Sequence, residues 1–159
     1  MSAWPRPTTA DIAIRAFSST PERLLVETGI GMQEILVSAQ GYVAAQQATR
    51  MTGEWLIDSD GETSRDRLLV LFLEEILYRC EVEGKWFVDG IVMITPQSIR
   101  IQASWVDADL VEREVEIKAV TRHELCFEQL GGGQTLTSPW QDVPDIEGPG
   151  WYCDVVFDI

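Results

Sequence analysis

Histidine occurs once in the 159 residues, at His123, and the three cysteines, Cys80, Cys126 and Cys153, stand far apart. No Cys or His pair falls at ligand spacing, which argues against a structural zinc site and against a disulfide framework; a reduced, cytoplasmic protein is the economical reading. No apolar run approaches the roughly 20 residues of a membrane helix, and the N-terminus carries no signal-peptide pattern. Basic residues are scarce. Twelve Lys and Arg face 26 Asp and Glu, a net charge of −14. Such a surface repels phosphate backbones, which argues against independent high-affinity binding of RNA or DNA. It suits a hard cation or a basic partner protein drawn in by steering, and it equally serves plain solubility. A nucleotide cradle is lacking too. Gly131-Gly132-Gly133 has no strand-turn-helix context, and no lysine–serine pair follows it.

What is present reads as a single domain over 1–159, with a composition 45% hydrophobic and 24% charged. Residues 1–8 carry Pro5 and Pro7 and read as an irregular lead-in. A first strand is predicted from Asp11 to Phe17, with Ile12, Ile14 and Ala16 on one face and Asp11, Ala13 and Arg15 on the other. Thr20, Pro21 and Glu22 then start a helix running to about Ser38, in which Gly29 and Gly31 allow close packing or a bend. Residues 39–52 are ambiguous, and Glu54–Ile57 reads as a short strand. Asp58-Ser59-Asp60-Gly61-Glu62 opens like a calcium loop but lacks the later ligand positions, so a polar turn is the better reading. Leu68, Leu69, Phe72, Leu73, Ile76 and Leu77 form a wide apolar stripe on a central helix that Gly84 ends. The adjacent Glu74 and Glu75 point about 100° apart on it and read as a solvated face. Trp86–Ile94 and Ser98–Val106 form a hairpin across Thr95-Pro96-Gln97, and residues 131–149 a long loop.

Two stretches carry chemistry. Val115 to Phe127 reads as a continuous strand. Val115, Ile117, Ala119, Thr121, His123, Leu125 and Phe127 fall on one face, with Lys118 among Glu114, Glu116, Arg122 and Glu124 on the other. On this pattern alone Lys118 reads as a cross-strand ion-pair partner and His123 as a half-buried strand residue. The last strand ends at Asp158 and Ile159. If it lies beside the first, Asp11, Asp158 and the terminal carboxylate of Ile159 meet, and such a cluster needs a cation or a shared proton. All-oxygen ligation points to calcium, manganese or magnesium. Taken alone, Asp11 reads as a turn aspartate bonded to its local backbone.

Ile117-Lys118-Ala119-Val120-Thr121-Arg122-His123 resembles the signature strand of the archease family, in which a lysine-alanine-valine-threonine run leads to a histidine. Thr9-Ala10-Asp11-Ile12 resembles the family's opening strand, Leu68–Tyr78 its central helix and Asp154–Ile159 its last strand, so the resemblance spans the chain. Pro7 and Thr8 stand where the family has an acidic residue and a histidine, and Arg122 where it has tyrosine. The resemblance implies a small α+β fold with a strand-helix-strand-strand core, its mixed or antiparallel sheet packed on two helices. It implies a divalent metal held by Asp11, Asp158 and Ile159, with Lys118 serving beside it. It also implies the work: assisting an RtcB-type RNA ligase in tRNA splicing by promoting its guanylylation and multiple turnover, as a non-enzymatic monomer or weak oligomer. The alternatives are a stand-alone metal-dependent phosphoester hydrolase and a metal-free chaperone-like binding module.

Overall fold

The computed structural model describes residues 2–8 and 11–159. β1 (Ala3–Arg6) lies antiparallel to β2 (Ile12–Ser18), with Pro5 opposite Ile14. The expected irregular lead-in is therefore a strand. β1 sits at the sheet edge, where the missing proline N–H costs no ladder bond. Thr9 and Ala10 lie outside the described residues, so only Asp11 and Ile12 of the opening motif can be placed.

α1 (Pro21–Leu36) begins as its sequence dictates: Thr20 Oγ1 accepts from the Arg23 N–H at 3.1 Å, and Pro21 takes the first turn. Leu24, Leu25, Met32 and Leu36 are buried along its inner side. Gly29 permits a close helix approach, because a Cβ there would lie 2.6 Å from Ile76 Cδ1. The ambiguous stretch resolves into α2 (Ala39–Gln47), capped by Ser38, followed by β3 (Met51–Asp58). Asp58 to Glu62 is a polar turn, in which Asp58 Oδ1 accepts from the Asp60 N–H.

α3 (Arg65–Glu83) places Leu69, Phe72, Leu73 and Ile76 fully inside, each contributing about 1.5–3 kcal/mol by burial. Gly84 ends it in the left-handed conformation, φ 67°, where a side chain would be strained. Glu74 is exposed, while Glu75 bonds Arg79 at 2.9 Å one turn on, so the two carboxylates do not act together. β4 (Lys85–Ile94) and β5 (Ser98–Asp107) form the expected hairpin, with a bulge between Phe87 and Asp89.

β6 (Ala119–Val120), β7 (Cys126–Leu130), β8 (Thr135–Leu136), β9 (Ile146–Glu147) and β10 (Gly150–Asp158) complete the chain. One sheet runs β1-β2-β10-β6, with β7 also pairing β10; the second runs β3-β5-β4, and β8 with β9 forms a ribbon inside the long 131–149 loop. Every pair is antiparallel. The fold is α+β as expected, with α2 as a helix beyond the two anticipated. α1 packs on β2 and β4 and so links the two sheets through one apolar core.

The expected continuous strand from Val115 to Phe127 is not one. Val120 pairs Phe157 and Cys126 pairs Asp154, so six residue steps on this side span three on β10. The surplus is thrown out as a turn over Thr121–Leu125, where Glu124 takes φ 55°. Thr121 fixes the turn's start, both its N–H and its hydroxyl donating to the Val156 carbonyl at 2.9 Å. The alternation fails with it: Ala119 is exposed and Val120 buried.

Candidate functional site

The last strand positions the candidate residues. With Phe157 opposite Ile12, Asp158 and Asp11 are the next residues outward on neighbouring strands. The last rung of the ladder is Phe157–Ile12, so Asp11 and Asp158 stand just beyond it at the same end of the sheet. On the other side of β10, Asp158 pairs Ala119, and the Lys118 N–H donates to the Asp158 carbonyl at 2.8 Å. Asp11, Lys118, Asp158 and Ile159 thus share one corner of the sheet, and all four are exposed.

The fold does not consume their charges. The Thr8 hydroxyl donates to the Asp11 carbonyl and accepts from the Asp11 N–H, so the local turn engages the backbone of Asp11. Among the described residues, none of Asp11, Lys118, Asp158 or the Ile159 carboxylate takes part in an ion pair. The cross-strand ion pair expected of Lys118 is therefore not formed. Lys85, by contrast, is held by Glu83 at 3.2 Å and lies 5.1 Å from the Trp105 ring. No three His, Cys, Asp or Glu side chains gather as a metal cluster among the described residues. A cation at this corner would take Asp11 and Asp158 as side-chain ligands and the Ile159 carboxylate as its third protein donor. The donor chemistry, oxygen only and solvent-facing, fits a hard divalent ion that keeps several waters.

His123 is not the half-buried strand residue expected. Its side chain is 74% exposed on the turn, 3.6 Å from Glu124 Oε1. The turn is tied down instead by Arg6, whose Nη2 donates to Glu124 Oε2 at 2.7 Å and holds that carboxyl below its usual range.

Sequence reading missed a buried polar cluster on the face of the sheet shared by Arg15 and Asp154. These two residues are paired in register, only 6% and 7% exposed, and joined by two hydrogen bonds of 2.8 Å. The hydrogen bonds that Arg15 donates to the Asp154 carboxylate raise the Arg15 pKa further. Trp140 of the long loop covers the cluster, its ring 4.8 Å from the guanidinium carbons of both Arg6 and Arg15. Burial, with Asp154 beside it, pushes the Cys126 thiol up to about 12. Tyr152 donates to Glu128 at 2.8 Å, and burial raises its pKa as well. The sequence signal was faint: one arginine and one aspartate, each interrupting an apolar strand. The cluster is internally neutralised, and its geometry is that of a fastening between β1, β2, β7, β10 and the loop.

Comparison with known protein families matches residues 5–159 to the Archease protein family. Protein archease of Thermococcus gammatolerans is 30% identical over 144 residues, covering 87% of this chain and 94% of that one. Protein archease of Pyrococcus furiosus is also 30% identical over 144 residues, with the same coverage. Among solved structures, the solution structure of Methanobacterium thermoautotrophicum protein 1598 superposes over 99% of both chains, with a TM-score of 0.58 at 16% identity, a likeness of fold.

Proposed function

The chain belongs to the archease family, and from that premise we propose that it is an accessory protein of a GTP- and metal-dependent RtcB-type RNA ligase, promoting guanylylation and multiple turnover in tRNA splicing or RNA repair. One observation carries the reading: an exposed lysine with no ion pair among the described residues stands at the same sheet corner as two exposed aspartates and the Ile159 carboxylate. A free ammonium beside uncompensated carboxylates is electrostatically incomplete, and it is completed by a cation and a phosphate brought in together.

In this reading Asp11, Asp158 and Ile159 hold a calcium, manganese or magnesium ion, which supplies positive charge for phosphate oxygens. Lys118 presents its ammonium to the phosphate in the ligase's active site. Its backbone bond to Asp158 keeps it beside the metal ligands whatever the side chain does. The net charge of −14 keeps free RNA away, so the corner is delivered by protein contact rather than by binding the substrate itself.

The test is ligase turnover with added RtcB-type ligase, RNA ends, GTP and manganese, followed over many cycles. Lys118→Ala and Asp158→Ala are expected to fold like the parent, since an exposed charge there contributes about 0–1 kcal/mol, and to lose most of the stimulation. If both variants stimulate as well as the parent, the corner has no part in the function.

A further inference from the structure

A second feature shares no residue with that corner. A pocket of about 70 Å³ opens between the end of α1, α2 and the start of β4, walled by Tyr42, Trp86, Phe87 and Val88. Drug-sized ligands need about 300–1,000 Å³, whereas a single water needs about 10–15 Å³, so this space suits the head of one side chain. Its polar lining includes Gln33, only 3% exposed; among the described residues its Oε1 accepts no hydrogen bond and its Nε2 reaches just the Phe87 carbonyl at 3.5 Å. A buried amide left this short of partners is missing a donor. Glu34 stands at the rim, and no lysine or arginine lines the pocket.

We propose that this pocket receives an arginine side chain of a basic partner protein, with the guanidinium against Tyr42 and Trp86, its N–H groups serving Glu34 and Gln33. The inference rests on the reading that the chain works through a protein partner. A flat guanidinium stacks on aromatic walls while donating sideways to a carboxylate and an amide oxygen at once; a lysine ammonium is a strongly hydrated point charge and does this poorly. A second copy of the chain is disfavoured as occupant, since each carries −14. Nucleic acid has no cationic side chain to offer a pocket whose one charged lining residue is a carboxylate.

The probe is Nα-acetyl-L-arginine methylamide, titrated into isotope-labelled protein by NMR, with the corresponding citrulline compound as a neutral isostere. Saturable shifts are expected at the Gln33 side-chain amide and the Trp86 indole, with a dissociation constant on the order of 1–10 mM. Arginine should bind about tenfold more tightly than citrulline, and Glu34→Gln should abolish that preference. Tyr42→Ala, at a residue 47% exposed, should weaken binding about fivefold without disturbing the rest of the spectrum. Equal binding of citrulline, shifts that map elsewhere, or no saturation would overturn the proposal. No ligase is present in this assay. Failure here leaves ligase activation standing, and failure of the turnover test leaves the arginine pocket standing.

Discussion

Removing the charge of Asp154 tests how the sheet is fastened. Its side chain is 10% exposed, and its carboxylate accepts two hydrogen bonds of 2.8 Å from Arg15 and lies 4.0 Å from the Nε of Arg6. Asp154→Asn keeps the volume and leaves two nearly buried guanidiniums with only Glu124 as a close counter-charge. Breaking a buried pair by removing one partner costs about 3–5 kcal/mol, because the orphaned charge stays desolvated. For a domain of this size each kcal/mol lowers Tm by about 2–4 °C, so a fall of about 6–20 °C is expected by calorimetry. An exposed pair such as Arg100–Glu54 contributes about 0–1 kcal/mol and serves as the internal control. The double variant Arg15→Met, Asp154→Leu should recover much of the loss, since replacing both partners removes the unpaired charge. A drop of under about 1 kcal/mol for Asp154→Asn would refute the reasoning, showing that water reaches the cluster from beneath Trp140.

Leu73→Ala removes a side chain with no exposed surface and should cost about 2–5 kcal/mol, read as a lower denaturation midpoint at unchanged slope; an unchanged midpoint would mean the site collapses freely. Glu124, held below its ordinary pKa by Arg6, favours the folded state above its unfolded pKa, and that contribution fades as pH falls through the folded value. Glu124→Gln should therefore lower the neutral plateau slightly and meet the parent's curve at the acid end, which flattens the acid limb between them; an unaltered curve would show that the ion pair does not form in solution. Burial raises the pKa of Cys80 and takes Cys126 and Cys153 to about 12, so all three should react slowly with a thiol reagent at pH 8 and rapidly in denaturant. The same shifts stabilise the fold below the unfolded thiol pKa, a contribution lost as pH rises towards the folded values. A fast native thiol would contradict the burial of its strand or helix.

The accuracy of sequence reading tracked the range of the forces involved. Thr20 and Pro21 start α1, Gly84 stops α3, and Thr95-Pro96-Gln97 turns the hairpin, because caps, left-handed glycines and proline turns are decided within a few residues. The stretch from Val115 to Phe127 misled for the opposite reason. Its alternation is real in the sequence, but the ladder it joins belongs to β10 about thirty residues later, and the misfit in length is absorbed by a turn that puts His123 in solvent. Residues 3–6 looked irregular because a proline vetoes a strand locally, and only the edge position lifts the veto.

The sequence by itself determined the acidic surface, the central helix and its core stripe, the hairpin, and the kinds of group available: aspartates near both ends, two lysines, Lys85 and Lys118, between them, and no Cys or His pair at zinc-ligand spacing. Tertiary structure alone decided which of these stand together. The register of β10 between β2 and β6 sets Asp158 beside Lys118 and at the same end of the sheet as Asp11, because neighbours in a sheet are chosen by backbone pairing across the whole chain. The same register buries Arg15 against Asp154 and brings Trp140 over them, since two opposite charges enter a low-dielectric interior only where pairing across strands makes them partners.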